Sequence, residues 1–197
     1  MGNENFLSGT NLVGMSTTRD RADNDYYATP ETSTIAILDK EKFDGNIYEP
    51  ACGEGHISKL LHQYYPNSKI YSTDLIDRGY GDKQLDFLSH DFKEFKFDNI
   101  ITNPPFNLAQ EFIEKSLLVS SKKVIMFAKI QLLEGNKRKI MFANTPLECV
   151  YVFSKRQNPL RNGSPTDEKG KPWSSTMCFA WFVWNKNYVG EPVIRWL

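Results

Sequence analysis

Short apolar runs alternate along the chain with longer segments of mixed polarity, from about residue 30 to residue 143. Runs of four to seven residues predict buried strands, and the longer segments between them predict helices. The strands are predicted at 46–49, 69–74, 98–102 and 123–129, and the helices at 30–40, 55–65, 108–119 and 135–143. Strands that alternate with helices indicate a parallel sheet that is covered on both faces.

Both ends of the chain, and the stretch 75–97, depart from this alternation. The runs 147–153 and 177–184 are separated by a polar loop without a helix, which predicts an antiparallel pair at one edge of the sheet. Trp181 and Trp184 are predicted to pack in the core there. We expect 75–97 to be irregular with one short helix, and 1–24 to be a flexible leader. Thr29 is predicted to cap the first helix, with Pro30 as its first residue.

Charge is balanced over the chain, with 24 basic and 24 acidic side chains among 197 residues. This length fits one domain, and zero net charge means that any binding of nucleic acid must come from a local patch. One candidate patch is Lys137, Arg138 and Lys139. The other lies in the loop 154–173, which is predicted to project near the active face and contains Lys155, Arg156 and Arg161. A solvated surface loop is the alternative for the second patch.

The cysteines and histidines give no sign of a disulfide framework or a metal site. Cys52, Cys149 and Cys178 are widely spaced in apolar stretches, and we expect them to be reduced core residues of a cytoplasmic protein. The three histidines lack the spacing of metal ligands, so no catalytic metal is predicted. No apolar segment is long enough to span a membrane, so no membrane partner is expected.

The segment Asn103, Pro104, Pro105 and Phe106 directly follows a predicted strand and is the most informative motif of the chain. Prolines restrict the backbone and remove donors, so the turn holds its carbonyl oxygens outward. The amide oxygen of Asn103 and the carbonyl of Pro104 together suit a single NH2 group, and Phe106 suits the ring that bears it. The alternative is that Asn103 merely caps the next helix.

The segment 49–56, EPACGEGH, lies between a predicted strand and its helix. Ala51, Gly53 and Gly55 are small residues that would let a ligand approach the backbone at a helix amino terminus. This is not the G-x-G-x-x-G pattern of a dinucleotide fold, and a bare G-x-G is weak evidence. Glu49 at the strand end disfavours a pyrophosphate and favours an ammonium or sulfonium centre.

Two acidic positions further on complete a nucleoside-shaped pattern. Asp74 ends the second strand of the alternation, where an acid typically accepts hydrogen bonds from ribose hydroxyls. Asp86 and Phe87 place a carboxylate beside an apolar ring, which suits an adenine and its amine. A nucleoside whose other end carries positive charge and an amino acid has the shape of S-adenosylmethionine.

Across residues 26–130 these motifs resemble, in order and spacing, those of class I S-adenosylmethionine-dependent N6-adenine methyltransferases, in particular the small enzymes of phages and restriction–modification systems. The segments that carry the resemblance are Tyr27 to Pro30, EPACGEGH, Asp74, Asp86 to Leu88, and Asn103 to Phe106. The resemblance implies a Rossmann-like α/β fold with a mostly parallel seven-stranded sheet and an antiparallel edge hairpin. Enzymes of that family usually carry a sizeable target-recognition domain after the catalytic core. This chain departs from them, because we expect a single catalytic domain, 25–197, with almost no room for such a domain.

The resemblance further implies a role for each matched position. On the cofactor side, Thr29 and the backbone next to it, from Tyr27 onward, would hold the methionine carboxylate, and Glu49, Ala51 and Gly53 would line the methionine end. Asp74 would bind the ribose, and Asp86 with Phe87 the adenine. Asn103 and Pro104 would bind the target amine, with Phe106 stacked on the target base.

The second substrate stays open between several candidates. Adenine in DNA is the leading interpretation, with the base flipped out or single-stranded, and adenine in RNA is its neighbour. A protein glutamine amide fits the same acceptor pair, although those enzymes more often have Tyr after the prolines. A non-catalytic cofactor-binding subunit is the candidate from another class. Target recognition without its own domain suggests a partner subunit, a homodimer or low specificity.

Overall fold

The computed structural model of the protein describes residues 26–93, 96–158, 160–161, 163–164, 166, 169–171 and 177–197. The predicted leader, 1–24, lies outside these residues. Within them, the α-helices are α1 (Glu31–Lys40), α2 (His56–Tyr64), α3 (Ala109–Val119) and α4 (Asn136–Ala143). Short 3-10 turns at Phe106–Leu108 and Ile130–Leu133 precede α3 and α4. Each of the four predicted helices is present, and no helix end differs from its predicted position by more than one residue.

The strands of the main sheet follow the predicted alternation and extend it. They are β2 (Ile47–Glu49), β3 (Ile70–Asp74), β4 (Lys83–Gln84), β5 (Phe97–Thr102), β6 (Ser120–Lys129), β7 (Leu147–Val152), β9 (Phe179–Asn185) and β10 (Val193–Trp196). A separate two-stranded sheet pairs β1 (Tyr27–Ala28) with β8 (Leu160–Arg161). The order in the main sheet is β10-β7-β9-β6-β5-β2-β3-β4.

One strand of the main sheet, β9, runs against the others. It pairs antiparallel with β6 on one side and β7 on the other, whereas every other adjacent pair in the described sheet is parallel. The predicted α/β class with a mostly parallel sheet is therefore confirmed. The carboxyl ends of β2, β3 and β5 lie at one edge of the sheet, next to each other, because these strands are parallel neighbours.

The predicted antiparallel pairing of 147–153 with 177–184 is confirmed, because β7 and β9 pair in this way. Its position at the edge and the count of seven strands are wrong. The described sheet has eight strands, and β10 covers the outer side of β7, so the edge strand is β10. The strand β9 is internal and buried at six of its seven positions, as expected for a strand that packs on both faces. Trp181 and Trp184 are fully buried, which confirms their predicted place in the core.

Three smaller predictions also need correction. Pro30, rather than Thr29, occupies the position before α1, and Thr29 is buried and makes no capping hydrogen bond there. The described part of 75–97 contains the short strand β4 and no helix. Cys52 and Cys149 are buried as expected, but Cys178 is exposed because it lies just before β9, outside the covered part of the sheet.

The core has one hydrophobic cluster on each face of the sheet. Tyr48, Ile100, Val124 and Phe182 belong to the cluster that packs under α3. The opposite cluster includes Ile37, Leu61, Phe127 and Trp181 and packs under α1 and α2. In the described ranges, no helix combines the length and apolar character that crossing a membrane requires.

Candidate active site

The proline corner begins where β5 ends at Thr102, and its asparagine is held by a distant segment. The Asn103 side-chain Nδ2 donates a hydrogen bond of 2.6 Å to the backbone carbonyl of Tyr27. Asn103 does not cap the following helix: α3 begins at Ala109, and no side chain caps it. The contact with Tyr27 fixes which way the amide points, so Oδ1 faces away from that carbonyl.

The Asn103 Oδ1 atom is buried, and no described residue donates a hydrogen bond to it. A buried acceptor of this kind costs free energy, about 1–3 kcal/mol for a neutral group, so native proteins rarely retain one without a reason. Asn103, Pro104 and Pro105 all line the wall of a cavity of about 350 Å³. Asn103 is therefore a residue of the cavity wall whose side-chain acceptor has no donor among the described residues.

Glu49 ends β2 and lines the same cavity, at the end of a buried hydroxyl chain. The Ser58 hydroxyl donates to the carboxyl Oε2 of Glu49, and the Ser58 and Ser72 hydroxyl oxygens lie 2.6 Å apart. Burial raises the pKa of Glu49 well above its usual range, even though the hydrogen bond from Ser58 acts in the opposite direction. The protein alone therefore favours the protonated, neutral form of this side chain.

The turn after β2 is already hydrogen-bonded to protein. The Gly53 N–H donates to Asp74 Oδ2 at 2.8 Å, and the Glu54 N–H donates to the Tyr26 hydroxyl at 3.2 Å. Gly53 has φ 53°, and a Cβ built there would lie 2.5 Å from the Tyr26 ring. At Gly55, with φ 81°, a Cβ would lie 2.5 Å from the Tyr80 ring. The glycines thus make room for tyrosines, where the sequence predicted room for a ligand, and neither lines the cavity.

Two further predicted carboxylates line the cavity. Asp74 ends β3, and its Oδ1 accepts a second bond from the Ile76 N–H at 2.9 Å. Asp86 is exposed, and its hydrogen bonds with Ser89 and with the Leu88 N–H lower its pKa. Both carboxylates retain lone pairs for ligand hydroxyl or amine groups.

Most predicted cofactor and target residues meet around this one cavity. Its lining includes these predicted residues: Tyr27, Thr29, Glu49, Ala51, Asp74, Asp86, Phe87, Asn103, Pro104 and Pro105. Phe87 forms part of the floor, because it is 2% exposed and packs on Tyr48 and Phe112. Strand ends that are far apart in sequence therefore converge on one space of the size that small-molecule sites have.

Phe106 lies beside the cavity among other rings. Its ring stacks on Tyr27 with a centroid separation of 5.5 Å and an interplanar angle of 24°, and Phe179 lies at 5.5 Å. The Lys129 ammonium lies 4.6 Å from its centroid. Phe106 also forms one end of a second groove, of about 450 Å³, whose other side is the start of α4.

The second groove brings one predicted basic patch next to the proline corner. Lys137 and Arg138 line it together with Gln110, and Asn107 lines both the groove and the main cavity. The Arg138 guanidinium donates to the Gln131 carbonyl at 3.2 Å, which orders this side chain at the groove.

The second basic patch lies partly beside Tyr27. Strand β8 pairs with β1, so Leu160 faces Ala28 and Arg161 faces Tyr27 in the register. The Ser33 hydroxyl donates to the Gln157 side chain at 2.7 Å, which ties the start of the loop to α1. Lys155 and Arg156 are exposed and line neither the main cavity nor the second groove.

The cavity is also lined by residues outside the predicted site, among them Tyr26, Arg78 and His56. Tyr26 lines it, and burial raises its pKa to about 12. Arg78 lines it from the loop after β3, and His56 from the start of α2, where burial lowers the pKa of the imidazole. Tyr26 directly precedes the Tyr27 motif and could have been found there, whereas no sequence pattern marks Arg78. Among the described residues, no group of three His, Cys, Asp or Glu side chains is arranged to hold a metal ion.

Comparison with known proteins identifies the fold. No protein-family model matches the sequence, and no curated protein sequence matches it. A proposed RNA methyltransferase from Pyrococcus horikoshii is similar in structure at 12% identity, with a TM-score of 0.56 over 84% of this chain and 88% of that chain. Magnesium protoporphyrin IX methyltransferase from Synechocystis, solved with bound S-adenosylmethionine, is similar at 11% identity, with a TM-score of 0.51 over 80% and 79%. The chain therefore has the Rossmann-like α/β fold of class I methyltransferases.

Proposed function

We propose that this protein transfers a methyl group from S-adenosylmethionine to the exocyclic N6 amine of adenine in DNA. The observation that carries the proposal is the buried Oδ1 of Asn103, which lacks a donor among the described residues and belongs to a side chain that lines the main cavity. An NH2 group supplies such a donor. The carboxyl ends of β2 and β3, which the fold family uses for its nucleoside, form the opposite part of the same cavity.

The cavity suits the methyl donor in size and charge. Its volume of about 350 Å³ is within the usual range for small-molecule sites. Glu49 would face the sulfonium and ammonium end, and Asp74 would accept hydrogen bonds from the ribose hydroxyls. Asp86 and Phe87 would hold the adenine amine and ring, and Thr29 the methionine carboxylate. The likeness to a methyltransferase solved with bound S-adenosylmethionine supports this choice.

Asn103 and Pro104 would activate the target amine by position alone. Adenine N6 is a poor nucleophile because its lone pair is delocalised into the ring. Accepting both N–H bonds, at Asn103 Oδ1 and the Pro104 carbonyl, would draw the nitrogen toward tetrahedral geometry and direct its lone pair at the methyl group. The lone pair then forms the new N–C bond while the C–S bond breaks, which leaves S-adenosylhomocysteine, and the surplus N6 proton goes to solvent. Holding the reactants about 3–3.5 Å apart supplies much of the acceleration without a strong base.

The target base would reach the corner from the side of the second groove. A paired base must be flipped out of the duplex to arrive there. Phe106 would stack on it, a contact that contributes roughly 1–3 kcal/mol per base. Lys137 and Arg138 would hold neighbouring phosphates, with Lys155, Arg156 and Arg161 as further contacts along the strand. A partner subunit or a homodimer would add sequence recognition to the single catalytic domain, 25–197.

Adenine in RNA is the second candidate, because the Pyrococcus horikoshii protein to which the fold is similar is a proposed RNA methyltransferase. One experiment separates the candidates. The full chain is incubated with methyl-labelled S-adenosylmethionine and, in separate reactions, duplex DNA, single-stranded DNA, RNA and a protein extract. Labelled N6-methyladenine after digestion of DNA supports the proposal. Label found only in RNA favours the second candidate, and label in protein or in no acceptor contradicts both.

A further inference from the structure

Arg78 is the charged residue of the cavity that the proposed function does not use. It lies in the loop after β3, four positions beyond Asp74, and lines the cavity. Its guanidinium carbon lies 4.2 Å from the centroid of the Tyr26 ring, a cation–π distance. The Arg78 side chain is thus stacked on a tyrosine ring that itself lines the cavity.

The Arg78 Nε–H is buried, and no described residue accepts a hydrogen bond from it. A buried, charged donor without an acceptor is costlier than a neutral one, so it indicates a missing acceptor more strongly. The guanidinium presents its N–H groups in a planar fork that matches a carboxylate. The missing acceptor is therefore expected to be an anionic ligand group.

The charges around the cavity are otherwise those of acids. Glu49, Asp74 and Asp86 line it, and Arg78 is the one Lys or Arg among the described lining residues. His56 also lines it, but burial lowers the pKa of its imidazole, which favours the neutral form. S-adenosylmethionine carries two positive centres and one carboxylate. Glu49 suits the positive centres, and Asp74 and Asp86 are assigned to the ribose and the adenine, which leaves Arg78 as the matching charge for the carboxylate.

Tyr26 places Arg78 on the methionine side of the cavity. The Tyr26 hydroxyl accepts the Glu54 N–H, and its ring lies against Gly53, in the turn assigned to the methionine end. The Arg78 guanidinium lies over this same ring, so Arg78 and the turn both contact Tyr26. The adenine end, at Asp86 and Phe87, is formed by a different part of the chain.

We propose that Arg78 binds the carboxylate of the methionine moiety of S-adenosylmethionine, with Tyr26 as the ring that holds the guanidinium in place. This rests on the proposed function only in its choice of methyl donor. It is independent of the identity of the methyl acceptor. It adds a cation to the site where Thr29 and the backbone next to it were predicted to hold the carboxylate.

The test compares two ligands that differ only in the carboxylate. Calorimetry with the full chain measures the dissociation constants of S-adenosylhomocysteine and of its decarboxylated counterpart. In Arg78→Gln, S-adenosylhomocysteine should bind roughly 10- to 100-fold more weakly, the loss expected for a hydrogen-bonded charge pair. The decarboxylated ligand should bind the variant and the original protein within about twofold, since the contact is missing in both.

Two further variants control for charge and for folding. Arg78→Lys keeps the charge without the fork, so we expect a loss between those of the original protein and Arg78→Gln. Lys59→Gln removes a cation that stacks on Tyr80, near Gly55 but outside the cavity lining. It should leave the dissociation constants of both ligands unchanged. Circular dichroism and thermal melting confirm that each variant is folded.

The outcomes separate this proposal from the proposed function. Equal weakening of both ligands in Arg78→Gln means that Arg78 only supports Tyr26, and overturns the carboxylate role. Unchanged binding of both ligands also overturns it, while the methyl-donor assignment stands. A chain that binds neither ligand in its original form overturns the methyl-donor assignment and this proposal together.

Discussion

The two walls of the main cavity treat their polar groups differently. In the proline corner, the Asn103 Oδ1 is buried with no donor among the described residues. At the ends of β2 and β3, the carboxyl of Glu49 already accepts from Ser58, and that of Asp74 from two backbone N–H groups. The corner thus has a polar atom without a protein partner, whereas the carboxyls at the ends of β2 and β3 are hydrogen-bonded by the protein itself.

This difference separates residues that act mainly on the ligand from residues that also hold the fold. Removing the Asn103 Oδ1 takes away no contact with a described residue. Removing either carboxyl breaks hydrogen bonds on which the ends of β2 and β3 depend. Loss of the Oδ1 acceptor alone should therefore affect activity, whereas loss of a carboxyl at the ends of β2 and β3 should affect binding and stability together. Asn103→Ala also removes the hydrogen bond from Nδ2 to the Tyr27 carbonyl, so a small loss of stability should accompany its loss of activity. The predictions below test this contrast.

The largest effect is expected at Asn103. Asn103→Ala should lower kcat for methyl transfer roughly 100- to 1000-fold, the loss typical of one positioned hydrogen-bonding group at a reacting centre. The dissociation constant of S-adenosylhomocysteine should stay within about threefold, because the donor contacts other residues. Asn103→Asp keeps an acceptor but puts an oxygen against the Tyr27 carbonyl, so its kcat should lie between that of the original protein and that of Asn103→Ala.

Label transfer to DNA measures kcat, and calorimetry measures the dissociation constant of S-adenosylhomocysteine. Asn187→Ala, at an exposed asparagine in the turn after β9, is the control and should behave as the original protein. An Asn103→Ala protein that retains activity close to that of the control would contradict the role of the corner.

The next largest effect is expected at Glu49, where binding of S-adenosylmethionine should be coupled to loss of a proton from the carboxyl group. Burial raises its pKa, so the empty site favours the neutral acid, whereas a positively charged ligand favours the carboxylate. Binding of S-adenosylmethionine should therefore release protons, and the affinity should rise with pH up to the pKa of the free protein. Stability runs the opposite way: above the pKa of the unfolded carboxyl, it falls as pH rises, because the folded state binds more protons.

Calorimetry in buffers of different ionisation enthalpy counts the released protons. In Glu49→Gln, binding should be about tenfold weaker and its proton release should vanish. Proton release of the same size in Glu49→Gln would assign the linkage to another group. An affinity that falls with rising pH in the original protein would contradict the predicted sign.

Gly53 tests whether the turn holds structure and ligand together. Gly53→Ala puts a methyl group 2.5 Å from the Tyr26 ring at a left-handed backbone position. We expect a loss of about 1–2 kcal/mol in the free energy of unfolding and severalfold weaker binding of S-adenosylhomocysteine, because Tyr26 must move. Gly170→Ala has a similar φ, 75°, with no atom of the described residues within 4 Å of its new methyl group, and should lose stability without losing affinity. Equal affinity in both variants would separate Tyr26 from the site.

The fold was predictable where apolar runs are long and buried. The runs that became β3, β5 and β6 lie in the buried sheet, so composition and length mark them. Strand β10 was missed because its four residues are exposed and follow a polar turn, and β1 and β8 are too short to show any period. The internal place of β9 follows from pairing between distant segments, which local sequence does not determine.

The candidate site was predictable at strand ends and unpredictable in loops. Asn103, Asp74 and Glu49 converge because parallel strands bring their carboxyl ends to one edge of the sheet. The stacking of Arg78 on Tyr26 depends on the path of an irregular loop, and it joins two segments with no shared pattern. The same limit explains why glycines expected to admit a ligand instead admit the rings of Tyr26 and Tyr80.

The smallest effect is expected at the second groove, whose contacts are with solvated phosphates. Lys137→Gln and Arg138→Gln should each raise KM for DNA severalfold, leave kcat nearly unchanged and reduce the slope of log affinity against log salt by about 1. Lys139→Gln removes the same charge from the next position of α4, outside the groove lining, and should change KM much less. Equal effects of all three substitutions would mean that the basic face acts through its overall charge, and that the groove next to Phe106 does not guide the strand to the proline corner.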